Sequence, residues 1–245
     1  MSVLKRVLRT FKSYVFLALR GIPAWIHFWR SFFTFKRLAP QEKQPYLMDI
    51  SPFIFDATHE TAVDPVYFYQ DAWAFEKIVQ LRPAWHVDVG SHHKYVSLLS
   101  KVVPVTMVDI RPLPTRLESL AFQQGSILAL PFEDESVPSV SSICVVEHIG
   151  LGRYGDAIDP DGSEKALAEL KRIVQPNGSL FLSLPIDETD RICFNAHRVF
   201  TEKTLFRLFE PFELIECRYI YGMEFLDHTR SGFGVGCYYL RKARL

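Results

Sequence analysis

The sequence predicts a doubly wound, mostly parallel α/β sheet with an antiparallel C-terminal strand, preceded by an N-terminal helical extension. Three observations predict it. From about residue 64, short apolar runs alternate with amphipathic stretches, the pattern of strands covered on both faces by helices. The polar, glycine-bearing segments fall just after the apolar runs, where such sheets bind ligands. The first 40 residues are of another kind: basic, aromatic and without a single acidic residue.

That extension, residues 1–40, carries Lys5, Arg6, Arg9, Lys12, Arg20, Arg30, Lys36 and Arg37. The remaining 205 residues hold the other 20 of the chain's 28 basic residues and all 28 acidic ones. A basic, aromatic head on an acidic body points to contact with an anionic surface. "YVFLALRGIPAWIHFWRSFFTF" (14–35) is too interrupted to span a bilayer, because Arg20, His27 and Arg30 would lie in hydrocarbon. Each such Arg costs about 2.5–3.5 kcal/mol on insertion scales. No small-residue cleavage site follows, which disfavours a signal peptide. Gly21-Ile22-Pro23 predicts a break between two short amphipathic helices. Their Trp25, Trp29, Phe32 and Phe33 would either lie at a membrane surface or pack on the domain. Nucleic acid is disfavoured as a partner, since the body is acidic and has no Lys/Arg stripe.

Residues 41–245 are expected to form one α/β domain, with elements in the following order. "DPVYFYQDAWAFEKIVQL" has apolar residues at helical spacing. "WHVDVG" is a strand that ends in a turn, "YVSLLS" opens a helix and "VVPVTMVDI" is a second strand. "GSILALPF" reads as the third strand and "SVSSICVVEHI" as the fourth. "SEKALAELKRIV" is an amphipathic helix with Ser163 at its N-cap, and "QPNG" turns the chain. "SLFLSLPI" is the fifth strand and "TEKTLFRLFEP" a helix. "FELIECRYI" and "GVGCYYLRKA" form a closing pair. Cys144, Cys193, Cys217 and Cys237 make no CxxC pair, so reduced thiols in a cytoplasmic protein are expected.

Doubly wound topology gathers residues 88–94, 109–111, 147–156 and 185–198 on one rim. Asp109 ends the second strand, where a carboxylate can accept bonds from both hydroxyls of a ribose. "HIGLGRYGDAIDPDG" places glycines, Arg153, Tyr154 and Asp156 in the loop after the fourth strand. Arg153 can clamp an anion, Tyr154 can stack on a sugar, and His148 or Asp156 can take a proton from a hydroxyl. "FNAHRVF" adds Asn195, His197 and Arg198, which suit an oxygen-rich acceptor. A bland alternative makes these loops structural turns, with Asp and Asn as caps. Tyr67, Tyr69 and Asp71 could cover a ligand, although most aromatics of that helix belong to the core. Adjacent His92 and His93 should point apart on their turn, and no third ligand is spaced for a metal, so none is expected.

"HVDVGSHHKYVSLL", "LPFEDES", "VVEHI" and "ALAELKRIVQPNGSLFLSLP" together, over residues 84–185, resemble the Rossmann-like core of the class I methyltransferases. The resemblance implies S-adenosylmethionine as cofactor. Asp88, Gly90 and Ser91 would line its methionine end, Asp109 and Ile110 would hold its ribose side, and Glu147 would support the pocket. Two departures accompany it: Ser126 replaces the usual acidic residue of that motif, and Val137-Pro138-Ser139 replaces the segment that usually leads into the fourth strand. His92 and Lys94 stand where the family's loop has glycines. "YFYQD", "VDIRPL", "EHIGLGRYGDAIDPDG" and "FNAHRVF" further resemble an uncharacterised bacterial family of methyltransferase-like proteins, a domain of unknown function. Two functions follow. One is methyl transfer to an oxygen acceptor, a sugar or lipid-linked glycan, at the inner face of a membrane. The other is a catalytically silent binding or scaffold protein of the same fold in a membrane-associated glycan pathway.

Overall fold

The computed structural model describes the backbone of residues 3–244 and the side chains of residues 21–244. The chain forms two compact units, Met1–Val63 and Asp64–Leu245, so residues 41–63 group with the extension and not with the sheet.

In the first unit one helix, α1 (Val3–Leu38), runs straight through the expected break, with Pro23 inside it. A proline removes one backbone donor and crowds the turn before it. The Leu- and Ala-containing flanks favour helix strongly enough to continue past that local loss. Two 3-10 turns follow, Gln41–Lys43 and Leu47–Asp49, neither with a buried residue. Among the described residues no helix is long and apolar enough to cross a membrane.

The second unit opens with α2 (Pro65–Leu81). Asp64 caps it, its side chain accepting from the backbone N–H of Val66 (3.0 Å) and Tyr67 (3.4 Å), and Pro65 supplies a preset first turn. Then come β1 (His86–Val89), α3 (His93–Leu99), β2 (Val105–Asp109), β3 (Leu120–Gln124), β4 (Val137–Ile143), α4 (Gly162–Ile173) and β5 (Val174–Ile186). A small hairpin follows, β6 (Arg191–Cys193) with β7 (His197–Val199). The chain closes with α5 (Glu202–Phe209), β8 (Glu213–Tyr221), β9 (Glu224–Leu226) and β10 (Gly234–Arg241).

The main sheet has the order β3-β2-β1-β4-β5-β10-β8-β9. Strands β1 to β5 pair in parallel, and β10 inserts antiparallel between β5 and β8. The chain leaves β1 toward β2 and β3, then returns to place β4 on the other flank of β1, which makes the β1/β4 edge the switch point. Both faces are covered. Val87, Val140, Leu180 and Leu182 pack with Ala166, Leu167 and Leu170 of α4 and with Leu205 and Phe209 of α5. Met107, Ile143, Phe181 and Cys237 pack on the opposite face with Trp73, Ala74 and Ile78 of α2 and with Val96 and Leu99 of α3.

Two expectations are corrected here. "GSILALPF" is not the third strand: Ser126 and Ala129 form only an isolated bridge, the Ser126 hydroxyl accepts from the Leu128 N–H at 3.1 Å, and Ile127 and Leu130 plug the core from a turn. The strand is "LAFQQ", an edge strand whose half-exposed pattern carries little apolar signal. Ser163 is not the N-cap of α4 either. Asp161 holds that position without a side-chain bond, while the buried Ser163 hydroxyl donates to the Val146 carbonyl at 2.6 Å and ties α4 to the turn after β4.

Candidate active site

A cavity of about 500 Å³ opens beyond the carboxyl ends of β1, β2 and β4. Gly90, Ser91, His92 and His93 form one wall, Asp109, Ile110 and Arg111 a second, and Cys144, His148, Tyr154 and Asp156 a third. Gly125 and Ile127 close the β3 side, and Tyr67 of α2 reaches in from above.

The first wall rests on a buried chain of hydrogen bonds. Ser141 Oγ donates to Asp88 Oδ2 at 2.6 Å, and the Ser91 N–H donates to Asp88 Oδ1 at 3.1 Å. Since the Ser141 hydroxyl hydrogen is engaged, its oxygen accepts from Nε2–H of His86 at 2.8 Å. Nδ1 of His86 then accepts from Ser139 Oγ at 2.8 Å. Burial drives the imidazole down to about 3, so His86 is neutral, and drives the Asp88 carboxyl up to about 7. Asp88 is fully buried and does not line the cavity. It holds the Gly90–Ser91 turn in place from beneath. Gly90 takes a positive φ of 73°, and a Cβ there would sit 2.9 Å from Val145 Cγ1, so the turn needs glycine on two counts.

His92 and His93 do not diverge: their rings stack at 4.4 Å. His92 Nδ1 accepts from the Lys94 N–H at 3.3 Å and caps α3, and its ring meets Tyr67 edge-on at 5.4 Å. Burial pushes the Tyr67 phenol up to about 12. The helix before the first strand therefore does cover the cavity, through Tyr67. Tyr69 instead stacks on Phe225 at 5.1 Å, away from it.

On the second wall, Asp109 is gripped by its neighbour. Oδ1 accepts from the Arg111 N–H at 2.8 Å and from Nε at 3.3 Å, and Oδ2 accepts from Nη2 at 3.4 Å. The Arg111 guanidinium in turn lies 4.6 Å over the Tyr154 ring, with the Arg153 guanidinium 5.1 Å from that ring. Tyr154 also meets His148 edge-on at 5.6 Å.

The third wall is where site expectations change most. His148 Nδ1 donates to the Ala196 carbonyl at 2.6 Å. A carbonyl only accepts, so the proton sits on Nδ1 and Nε2 is bare. Burial lowers this imidazole to about 4 despite that bond, which keeps it neutral. Glu147 is buried behind it, Oε1 lying 3.6 Å from His148 Nε2 and Oε2 having no partner. An ionised carboxylate cannot be sustained there, and burial raises Glu147 to about 8, making it a neutral acid at physiological pH. Asp156 lines the cavity but does not suit a proton acceptor. Its Oδ2 accepts from the Gly150 N–H (2.7 Å) and the Gly152 N–H (3.3 Å), and Oδ1 from the Tyr154 N–H (3.2 Å). These bonds hold its carboxyl below the usual range even though burial opposes them.

Arg198 is likewise corrected from ligand holder to internal brace. It is buried, donating through Nη1 to the Ile149 carbonyl and Ser163 Oγ, and through Nη2 to the Asp159 and Pro160 carbonyls. Asn195 faces the Leu151 carbonyl at 3.4 Å, and His197 packs beside Phe233. Neither lines the cavity. The loop itself is tight: a Cβ on Gly150, whose φ is 81°, would collide with the Asp159 carbonyl. Arg153 reaches the Ala196 carbonyl at 2.9 Å and stands at the cavity's edge rather than in it. Sequence reasoning passed over Cys144, taken only as a buried thiol. It lines the cavity at φ 53°, its Sγ donating to Gln70 Oε1 at 3.1 Å. Its position directly after an apolar strand was the available signal.

With this geometry in place, comparison with known proteins adds the following. A family described as "Caenorhabditis protein of unknown function, DUF268" matches residues 132–224. That is less than half of the chain. The match takes in "EHIGLGRYGDAIDPDG" and "FNAHRVF" but neither "YFYQD" nor "VDIRPL", and it does not bear out a bacterial family. No curated protein matches the sequence. Among solved structures, the chain is similar to a Burkholderia thailandensis 1,6-didemethyltoxoflavin-N1-methyltransferase bound to 1,6-didemethyltoxoflavin and S-adenosylhomocysteine. That likeness has a TM-score of 0.55 at 18% identity and covers 74% of this chain and 80% of the other. It is also similar to the N-methyltransferase NodS of Bradyrhizobium japonicum, with a TM-score of 0.53, 13% identity and coverage of 74% and 98%. A third similar structure is the cyclase SpnF, with a TM-score of 0.51, 12% identity and coverage of 71% and 82%. Identities this low speak for the fold alone: the body has the class I methyltransferase fold, and the cyclase shows that this fold is not confined to methyl transfer.

Proposed function

We propose that the body, residues 64–245, is an S-adenosylmethionine-dependent methyltransferase that acts on an oxygen of a polar acceptor, a sugar or lipid-linked glycan. The observation that carries this reading is Asp109. It is a carboxylate at the end of β2, on the wall of a cavity at the β1/β4 switch point, where carboxylates of such sheets accept a ribose diol. The donor set fits the cofactor. Asp109 would accept from the ribose hydroxyls, sharing its oxygens with Arg111. Ile110 and Ile127 give apolar walls for adenine, and the side-chain-free Gly90 and the Ser91 backbone leave room at the methionine end. A cavity of about 500 Å³ lies within the range of small-molecule sites, roughly 300–1,000 Å³.

When bound, S-adenosylmethionine supplies an electrophilic methyl group. The chain's own contribution is positioning and proton handling. Neutral His148 lines the cavity, oriented by the Ala196 carbonyl, and would take the acceptor's hydroxyl proton on Nε2, which the neutral Glu147 neighbours at 3.6 Å without adding a charge. Tyr154 and Arg153 offer an aromatic face and a cation for a polyol. The alternative, a silent binding protein, draws its support from the hold of Arg111 on Asp109 and from Ser126 turning inward to its own loop.

Titration calorimetry with S-adenosylhomocysteine decides whether the cofactor binds. Binding that falls at least tenfold in Asp109→Ala supports the site, while no heat at millimolar ligand overturns the enzyme reading. Transfer of labelled methyl to glycan acceptors, lost in His148→Ala with S-adenosylhomocysteine affinity retained, separates the enzyme from a silent binder.

A further inference from the structure

We propose that α1 is an interfacial anchor that lays one face on an anionic bilayer surface. The inference stands independently of the chemistry of the body. Within the described side chains, Ile22, Trp25, Ile26, Trp29 and Phe33 recur at intervals of three and four along α1, which places them on one face of the helix. All five are exposed; even the two tryptophans are 41% and 39% accessible. They line one continuous apolar groove together with Arg30 and Thr34. Soluble surfaces rarely leave large apolar side chains contiguous in this way, and where they do the patch marks a binding face.

The residues suit a lipid interface better than a protein core. Trp25 stacks on Trp29 at 6.5 Å, and Trp29 contacts Phe32 and Phe33 at 5.7 and 6.1 Å. The result is an indole-rich ridge of the kind that settles at the headgroup boundary. On the helical wheel Arg30 and Arg37 flank one side of the ridge and Lys36 the other. Lys36 Nζ lies 5.9 Å over the Phe32 ring, its chain lying along apolar surface while the ammonium stays wet.

Charge names the occupant. Residues 1–40 hold eight cations and no anion. Lys5, Arg6, Arg9, Lys12 and Arg20 have side chains outside the described residues and enter through their charge alone. A second copy of the helix would bring its own cations against these and repel them, whereas a phosphate-bearing surface neutralises them. The helix lies on the bilayer and does not cross it, in keeping with the absence of a spanning segment among the described residues.

The test uses the full chain and sedimentation with vesicles of phosphatidylcholine, with and without phosphatidylserine. Retention on the anionic vesicles only, weakened by salt, is the expected result. Trp25→Ala/Trp29→Ala/Phe33→Ala should abolish retention while circular dichroism and the thermal unfolding midpoint stay as they were. Arg30→Gln/Lys36→Gln/Arg37→Gln should weaken it by about a hundredfold, at roughly a factor of five per cation. Failure of the full chain to bind anionic vesicles at low salt overturns the proposal, as does unchanged binding by the aromatic variant. A concentration-dependent dimer that the same aromatic substitutions dissociate, without vesicle binding, assigns the face to a second copy instead.

Discussion

Arg198 gives its guanidinium wholly to the chain, donating to three carbonyls and a hydroxyl of the loop and helix that follow β4. Its replacement by Ala strands buried acceptors and removes a charge-assisted brace, so a loss of about 3 kcal/mol in urea denaturation is expected, with Arg198→Lys intermediate. Asp156 does the same work on the other side of the loop by accepting three backbone N–H groups. Asp156→Asn keeps an acceptor oxygen and should retain most of the methyl-transfer activity, whereas Asp156→Ala frees the loop and lowers activity at least tenfold. Equal, complete loss in both variants would instead make Asp156 the proton acceptor. Both residues were legible as polar loop positions, but not as internal braces. A residue type and its spacing show that a side chain can bond, and only packing decides whether its partner is a ligand or the protein's own backbone.

At the scale of elements, β1, β4 and the turn after it bring together two neutral imidazoles and two carboxyls that burial raises. Asp88 and Glu147 hold their protons in the folded state to about 7 and about 8, well above the ordinary carboxylate range. The unfolded chain has already released those protons, so stability falls as pH rises toward the folded values. His86 and His148, lowered to about 3 and about 4, act in the opposite sense: they add stability as pH rises through their unfolded value near 6.5. Above that value the histidine contribution fades as the unfolded imidazoles lose their remaining protons, and the carboxyls dominate the slope. The unfolding free energy from urea denaturation should therefore decline between pH 6.5 and 8 by about 1–2 kcal/mol, and Glu147→Gln should flatten most of that decline. A midpoint that rises through this window contradicts the buried neutral acid. The serines of β4 supply part of this arrangement: Ser139 and Ser141 hold His86, and Ser142 donates to the Val89 carbonyl at 3.0 Å. Ser139 looks like part of a departure from a family pattern in one dimension, and in three it joins Ser141 in a packed polar layer around His86. Most of the succession of strands and helices was readable from the apolar runs, because long buried runs such as β5 leave no other option. The edge strand β3 and the continuous α1 were not readable: one has little apolar signal and the other carries a proline that usually marks an end.

On the scale of the molecule, the two units differ in what their surfaces ask for. The body has a closed core on both sheet faces, with helices α2 to α5 distributed between them. A fragment starting at Asp64 is therefore expected to unfold in one cooperative transition with a midpoint close to that of the full chain. S-adenosylhomocysteine at a hundred times its Kd should stabilise it by about 2.7 kcal/mol. A fragment that is molten or does not respond to ligand would show that residues 1–63 complete the body.

One guanidinium joins two parts of the cavity. Arg111 bonds both oxygens of Asp109 and lies on the ring of Tyr154, so a molecule that takes those oxygens loosens the plate under the tyrosine. Whatever then rests against Tyr154 pushes back on the same arginine. Affinities at the two ends are thus tied by a coupling free energy that must be equal in both directions. For a two-substrate catalyst this means that the diol-bearing and the hydroxyl-bearing partner each shift the other's affinity by the same factor, whichever arrives first.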